Sequence, residues 1–226
     1  MLSKEREKLI RSLHTKKGRE ESGLCLVEGA KVIKTAGKSI EFEFTPEMTP
    51  NFNKLVTTET PQEMAAVARI PEWTIEEIKS RPTIVVLDGV QDPGNVGTIL
   101  RLCLGFNASI LLVESADVTN PKVVRSSVGA LFQVPWMVIS RDEAKDLPSP
   151  LLGKEGERKV FRLEKTSRSK SIEAIKTKEP AIIIVGSEGS GIKLDIDGTS
   201  IAITHDPALE SLNVSQALAI ALFTRF

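Results

Sequence analysis

Apolar residues in the second half of the chain fall into short continuous runs bounded by turn-forming residues. The runs are TIVVLD, SILLVES, PWMVIS, KVFRLE, AIIIVGS and SIAIT, and helical segments separate most of them. Continuous Ile, Val and Leu strands without alternation are typical of a parallel sheet whose two faces are both covered. The pattern therefore predicts an open α/β layer, in which ligands bind at the carboxyl ends of the strands.

The first part of the chain has shorter elements and more proline. It predicts a polar helix around residues 3–14, a strand at LCLVEG, a helix near AKVIKTA and a possible strand at MAAVARIP. The pattern changes at Arg81-Pro82. We therefore expect a small α+β domain over residues 1–80 and a larger α/β domain over residues 81–226.

Composition narrows the class of protein. The chain has 226 residues, 41% of them hydrophobic, as expected of a globular protein. It has no run of apolar residues long enough to span a membrane, and its charged start does not resemble a secretion signal. We therefore expect a soluble, cytoplasmic protein. Cys25 and Cys103 are predicted to be buried thiols rather than metal ligands or a disulfide.

Basic residues are concentrated near the start of the chain, although the whole chain has 30 basic and 30 acidic residues. Lys16, Lys17 and Arg19 end a basic stretch over residues 4–19, of the kind that contacts phosphates. A solvated helix face accounts for the same pattern. The sequence leaves both interpretations open.

Three predicted strands are followed by unusual residues. After TIVVLD comes DGVQDPGN, where Asn95 is a predicted helix N-cap and Arg101 lies about two turns into the helix. Asn95 and Arg101 are six positions apart and do not share a helix face. A capped helix with an ion-paired surface arginine is the alternative to a binding site here.

The second of these strands is followed by a glycine-rich loop, GSEGSG, that contains a carboxylate. Gly186, Gly189 and Gly191 are spaced as G-x-x-G-x-G, which differs from the dinucleotide-binding pattern, and Glu188 would repel a phosphate. The loop suits a ligand with positive charge or hydroxyl groups, such as an adenosyl sulfonium. A plain glycine-rich turn is the alternative.

The third strand leads to SLNVS and to a final helix that is apolar nearly all round. Ser211, Asn213 and Ser215 are expected helix caps and also offer hydrogen-bonding groups to a ligand. A helix without a polar face must be buried in the core or in a subunit interface.

Together these segments resemble the SpoU type, or TrmH-like, RNA 2′-O-ribose methyltransferases of the SPOUT superfamily. The matching residues are Asn95, Gly97 and Arg101 for N-x-G-x-x-x-R, Gly186, Glu188, Gly189 and Gly191 for G-x-E-G-x-G, Ser211 to Ser215 for S-L-N-V-S, and Arg125 and Ser126 within PKVVRSSVGALFQVP. Each motif alone is weak. The four in this order are highly specific.

The resemblance implies a SPOUT domain with a carboxyl-terminal trefoil knot, a homodimer with the final helix in its interface, and an amino-terminal RNA-binding domain of ribosomal-protein type. It implies S-adenosylmethionine as cofactor, with no metal. The implied cofactor-binding residues are Gly186, Gly191, Ile203, Ser211 and Leu212, the implied catalytic residues are Asn95, Arg101, Glu188, Ser211 and Asn213, and the candidate RNA contacts are Lys16, Lys17, Arg19 and Arg125. The resemblance implies that Arg101 acts as the base, but arginine normally gives up no proton, so we favour stabilisation of an alkoxide by Arg101, with Asn95 orienting it. Whether Arg101 takes the proton or only stabilises the charge is left open.

Several alternatives stay open. The substrate RNA is ribosomal or transfer RNA, and the chain is an enzyme, a non-catalytic assembly factor with the same fold, or a nucleotide-binding enzyme with another α/β sheet. His205 lies where relatives commonly have Pro-Met, and it either faces solvent or touches the substrate.

Overall fold

The computed structural model describes residues 1–145 and 158–226, which form two compact units. One unit comprises Met1–Glu72 and Asp117–Gln133, and the other comprises Trp73–Ala116 and Val134–Phe226. The smaller unit therefore includes a segment, residues 117–133, that a division of the sequence at residue 81 assigns to the larger domain.

The secondary structure follows the predicted pattern in most of the chain. The helices are α1 (Lys4–Ser12), α2 (Lys16–Ser22), α3 (Ala30–Ala36), α4 (Phe52–Leu55), α5 (Ile75–Lys79), α6 (Pro93–Gly105), α7 (Pro121–Ser126), α8 (Arg141–Lys145) and α9 (Val214–Arg225). The strands are β1 (Leu24–Glu28), β2 (Ile40–Phe44), β3 (Ala65–Arg69), β4 (Thr83–Asp88), β5 (Ala108–Val113), β6 (Trp136–Ile139), β7 (Lys159–Leu163), β8 (Lys170–Ser171), β9 (Ala181–Gly186) and β10 (Thr199–Ala202). Within the described residues, no helix is both long and apolar enough to cross a membrane.

The smaller unit contains an antiparallel sheet with the strand order β1-β3-β2. Its core is an apolar cluster that includes Ile10, Leu26, Phe44, Phe52 and Val67. Helix α1 ends on the buried Leu13, and α7 packs beside β1. Residues 117–133 follow β5 of the larger unit in sequence, but they pack within the smaller unit.

Arg19 is buried within the smaller unit. Its side chain is 3% exposed and donates hydrogen bonds to Leu13 O at 2.7 Å, to Thr119 Oγ1 at 3.1 Å and to the Asp117 carboxylate, with which it forms a salt bridge. Burial alone would raise the pKa of Asp117, but the hydrogen bonds from Arg19 and Thr119 bring that pKa below its ordinary value. Arg19 therefore joins α2 to residues 117–119.

The larger unit contains a seven-stranded parallel sheet with the order β6-β5-β4-β9-β7-β10-β8. All residues of β4 and β5 are buried, and so are the first five of β9. This arrangement confirms the predicted α/β layer, because a strand covered on both faces needs apolar side chains at every position. Asp88, Leu163, Gly186 and Ala202 end four of these parallel strands, so the loops that follow them meet at one edge.

Both cysteines are buried and free, as predicted. Burial raises the pKa of Cys25 to about 12 and also raises that of Cys103. Both side chains are therefore neutral, unreactive thiols at physiological pH.

We expect the substitution Arg19→Ala to destabilise the smaller unit by about 3–5 kcal/mol, because it leaves the largely buried Asp117 carboxylate without its partner. Lys16→Ala is the control, since Lys16 is 68% exposed and its pair with Glu20 lies at the surface. Urea denaturation of both variants measures the difference. Equal stability of the two would show that the buried pair has no structural role.

Candidate active site

Side chains from the three sequence motifs form one hydrogen-bonded cluster at the carboxyl edge of the parallel sheet. Asn213 Nδ2 donates to Glu188 Oε1 at 2.8 Å and to Asn95 Oδ1 at 3.0 Å, and Asn95 Nδ2 donates to the same Glu188 oxygen at 2.9 Å. We call these three residues the Asn-Glu-Asn cluster. Its members come from the start of α6, the loop after β9 and the start of α9.

The prediction that Asn95 is the N-cap of α6 is wrong. Asp92 is the N-cap, and its carboxylate accepts a hydrogen bond from Asn95 N at 2.8 Å. Pro93 occupies the first helical position, where its fixed φ and missing N–H are tolerated. The Asn95 amide is therefore inside the helix and available to the cluster.

Asn213 is the N-cap of α9, as its position in SLNVS predicts. Its Oδ1 accepts from Ser215 N at 2.9 Å and from Ser215 Oγ at 2.6 Å. The same side chain donates to the cluster through Nδ2. Capping and site geometry are thus two functions of one amide group.

A cavity of about 420 Å³ lies between the loops after β7, β9 and β10, and we call it the three-loop pocket. Its volume is in the range of sites for small organic ligands. All five predicted cofactor-binding residues line it, namely Gly186, Gly191, Ile203, Ser211 and Leu212. Glu188 and His205 also contribute to its wall.

The loop after β9 crosses closely over its own strand at Gly186. A Cβ atom at this position would lie 2.1 Å from the backbone carbon of Gly191, a distance that requires the backbone to move. Gly191 N donates to Ser187 O at 2.9 Å, and Ser187 N donates to Gly191 O at 3.2 Å. Gly191 has a φ of +65°, in the left-handed region that favours glycine. The glycines therefore shape the loop around the pocket.

A second cavity of about 540 Å³ lies on the other side of Glu188, and we call it the strand-edge pocket. It shares Ser187, Glu188, Ser190 and Val214 with the three-loop pocket. The rest of its lining consists of Asp88, Gly89, Val90, Gln91, Asp92, Asn95, Glu114, Gly189, Arg141 and Lys193. Two adjoining pockets thus share a wall that contains the carboxylate of the cluster.

Asp88, Glu114 and Arg141 belong to the strand-edge pocket and were not predicted from the sequence. Asp88 is 1% exposed and accepts from Leu194 N at 2.7 Å, from Lys193 N at 2.5 Å and from Arg141 Nη2 at 2.9 Å. A carboxylate at the end of the buried strand TIVVLD was the available signal, because a buried charge requires such partners. Arg141 gives no comparable signal in the sequence.

Arg101 lies outside the Asn-Glu-Asn cluster. Its side chain is exposed on α6, lines neither pocket and has no hydrogen-bond or ion-pair partner in the described part of the chain. Ser211, also predicted to be catalytic, lines the three-loop pocket. The roles of both residues stay predictions.

His205 is half-buried, and its Nδ1 lies 2.8 Å from Ile203 O. It is therefore a wall residue of the three-loop pocket and does not project freely into solvent.

The four candidate RNA contacts have different environments within the smaller unit. Lys16 and Lys17 are 68% and 83% exposed and pair with glutamates one turn further along α2. The Arg125 side chain is 36% exposed, and its Nη1 lies 3.4 Å from Glu28 Oε2 and 3.2 Å from Thr57 Oγ1. Arg19 is buried, so we exclude it from the proposed RNA-binding surface.

A parallel α/β sheet with a ligand-sized pocket among three loops at its carboxyl edge, and with an amide-carboxylate cluster beside that pocket, is the arrangement expected of the SPOUT-type methyltransferase domain that the motifs predict. The sequence model of the SpoU rRNA Methylase family matches residues 82–223. The chain therefore belongs to this family, which confirms the predicted family and enzyme class. Residues 4–51 match the MRM3-like substrate binding domain.

Individual relatives agree with this assignment. The chain is 31% identical to the 23S rRNA (guanosine(2553)-2′-O)-methyltransferase of Bacillus subtilis, over 94% of this chain and 92% of the relative. A TrmH-family protein structure from Porphyromonas gingivalis is similar, with a TM-score of 0.81, 29% identity and coverage of 99% and 98% of the two chains. The AdoMet-bound rRNA methyltransferase of Sinorhizobium meliloti shares the fold, with a TM-score of 0.82, 23% identity and coverage of 99% and 95%.

We expect Gly186→Ala to abolish measurable binding of S-adenosylmethionine, because the added methyl group would collide with the Gly191 backbone and displace the loop. Gly189→Ala is the matched control, since a Cβ at that position meets no atom within 4 Å. Isothermal titration calorimetry measures both affinities. Unchanged binding by Gly186→Ala would contradict the proposed requirement for close crossing of the loop.

Proposed function

We propose that this chain transfers a methyl group from S-adenosylmethionine to a ribose 2′-hydroxyl of ribosomal RNA. The observation that carries this proposal is the Asn-Glu-Asn cluster, which unites the three family motifs by hydrogen bonds and holds Glu188 in the wall that the two pockets share. Ribosomal RNA is favoured over transfer RNA because the Bacillus subtilis relative is named for 23S rRNA. The match to a substrate-binding domain over residues 4–51 supports recognition of a macromolecule. The cytoplasmic location predicted from the sequence stays a prediction.

The three-loop pocket is the proposed cofactor site. Main-chain groups near Gly186, Ile203 and Leu212 would hold the adenosine portion, and the Ser211 hydroxyl offers a further hydrogen bond. Glu188 lines the same pocket, and its carboxylate tolerates a sulfonium but would repel a phosphate. When bound, S-adenosylmethionine supplies a methyl group attached to a positively charged sulfur, which is a good leaving group.

The protein has to position the ribose hydroxyl and stabilise its loss of a proton. Glu188 Oε1 accepts both amide N–H groups of the Asn-Glu-Asn cluster. The carboxylate is thereby held in place through Oε1, and the cluster leaves Oε2 to hydrogen-bond the hydroxyl in the proposed reaction. In-line attack on a methyl group requires this kind of fixed approach, and small errors of position slow it strongly.

The exposed apolar residues of α9 support the predicted homodimer. Leu218, Ala221 and Leu222 of this helix are buried, whereas Ile220, Phe223 and the terminal Phe226 are 38%, 75% and 85% exposed. Clustered exposed apolar residues of this size favour an interface. The lack of a polar face on α9 therefore has two causes: one side packs in the core, and the other side is proposed to contact a partner subunit.

Arg101 fits a role at this interface. Helix α6 packs against α9, and Leu104, one turn beyond Arg101, is 43% exposed and apolar. A dimer formed through this surface would bring Arg101 towards the partner's ribose site, where its guanidinium would stabilise the alkoxide or bind a neighbouring phosphate. Such a placement would account for the position of Arg101 outside the cluster of its own chain.

We expect Arg101→Ala to reduce methyl transfer to ribosomal RNA by at least about a hundredfold and to leave the affinity for S-adenosylmethionine unchanged, since Arg101 lines neither pocket. Arg101→Lys is the matched variant, because it keeps the charge and loses the planar fork. A radiolabelled methyl-transfer assay and calorimetry provide the two measurements. A parallel fall in cofactor affinity would assign Arg101 a structural role instead.

We expect Phe223→Glu to convert the homodimer into monomers, because a carboxylate would be buried where the interface requires an apolar ring. Val138→Glu is the control, since Val138 is 63% exposed on the edge strand β6. Light scattering coupled to size-exclusion chromatography measures the mass of each variant. A wild-type monomer, or a dimer that survives Phe223→Glu, would refute the interface.

A further inference from the structure

The strand-edge pocket contains a charged group that the proposed reaction does not use. Arg141 Nη2 donates to Asp88 Oδ1 at 2.9 Å and to Glu114 Oε2 at 2.6 Å. Its other terminal nitrogen, Nη1, is buried and has no hydrogen-bond partner among the described residues. An unsatisfied guanidinium N–H is unfavourable, and because Arg141 lines the pocket, a small shift of its side chain would offer this N–H to a ligand acceptor.

Glu114 is held in an unusual position beside Arg141. It directly follows β5 and has a φ of +44°, a conformation that costs energy for a residue other than glycine. The Glu114 side chain is 60% exposed, and the hydrogen bond from Arg141 lowers its pKa. At neutral pH it therefore presents an ionised carboxylate at the pocket wall, with only Oε2 used by Arg141.

The charges of the pocket disfavour a phosphate as its occupant. Four carboxylates and two cationic groups line it, namely those of Asp88, Asp92, Glu114 and Glu188 and those of Arg141 and Lys193. A dianionic group would face net repulsion in this environment. The lining instead suits an uncharged planar ligand that has N–H donors on one edge for a carboxylate and a carbonyl acceptor for an arginine.

We propose that the strand-edge pocket receives the base of the methylated nucleotide and that this base is guanine. The inference rests on the proposed function, in which the ribose lies at Glu188, in the wall that the two pockets share. A base attached to that ribose would extend into the strand-edge pocket. The volume of about 540 Å³ is ample for a nucleoside.

Guanine matches the polar groups of the pocket better than the other bases. It carries adjacent N1–H and N2–H donors, which suit the two oxygens of the Glu114 carboxylate, and the O6 acceptor, which suits Arg141. Adenine and cytosine offer an amino group beside a ring acceptor, and uracil offers a single ring N–H. Only guanine presents two neighbouring donors to one carboxylate.

The test uses the full-length protein, S-adenosylmethionine and unmodified 23S rRNA transcribed in vitro, with nuclease digestion and mass spectrometry of the nucleosides. We expect 2′-O-methylguanosine as the product. Glu114→Gln replaces one acceptor oxygen with a donor, so kcat/KM should fall about tenfold or more while the affinity for S-adenosylmethionine stays unchanged. Glu173→Gln is the matched control, because Glu173 is also exposed and ion-paired but lines neither pocket.

A second arm replaces the methylated guanosine with inosine in an RNA fragment, which removes only the N2 amino group. This change should slow the wild-type protein and have no further effect on Glu114→Gln, since both changes remove the same contact. A methylated nucleoside other than 2′-O-methylguanosine would overturn the guanine pocket. An equal fall in methylation rate with inosine for the wild type and for Glu114→Gln would also overturn it. Either result would leave the methyltransferase function intact. Absence of any 2′-O-methylated nucleoside would overturn the proposed function, and this inference with it.

Discussion

The candidate site depends on the side-chain amide of Asn213, which is used at both of its polar atoms. Oδ1 caps α9 and Nδ2 donates to Asn95 and Glu188, so one side chain ties the final helix to the start of α6 and to the loop after β9. An aspartate would cap the helix equally well, but it would place a second carboxylate against Glu188. The requirement for both an acceptor and a donor explains why an amide occupies this position.

The parallel sheet explains why these segments meet at all. β4 and β9 are adjacent and in register, with Asp88 opposite Gly186, so their following loops begin side by side. The close crossing at Gly186 then turns the loop after β9 so that Glu188 reaches Asn95. The apolar strands thus supply a rigid support, while a glycine and two amides determine where the single carboxylate points.

Sequence patterns predicted the elements whose side chains are uniformly apolar and the motifs whose residues are unusual. They did not predict β2, whose sequence IEFEF alternates polar and apolar positions and was the available signal for a half-buried strand. The prediction that Arg19 contacts RNA was wrong, because a basic stretch in sequence does not distinguish exposed lysines from an arginine that is buried against Asp117. Partners about 100 positions apart, such as these, are set by tertiary packing, and local periodicity contains no information about them.

Glu188 would contact the ligands of both pockets, because it lines the wall that the two pockets share. In the proposed reaction its charge suits a sulfonium on one side, and on the other side it would meet the ribose hydroxyl that loses a proton. A carboxylate free to rotate could pair with either ligand and leave the other misplaced. The two amide donors on Oε1 remove that freedom before either ligand arrives. This arrangement favours positioning over strong proton abstraction, which is appropriate for a transfer whose leaving group is already good.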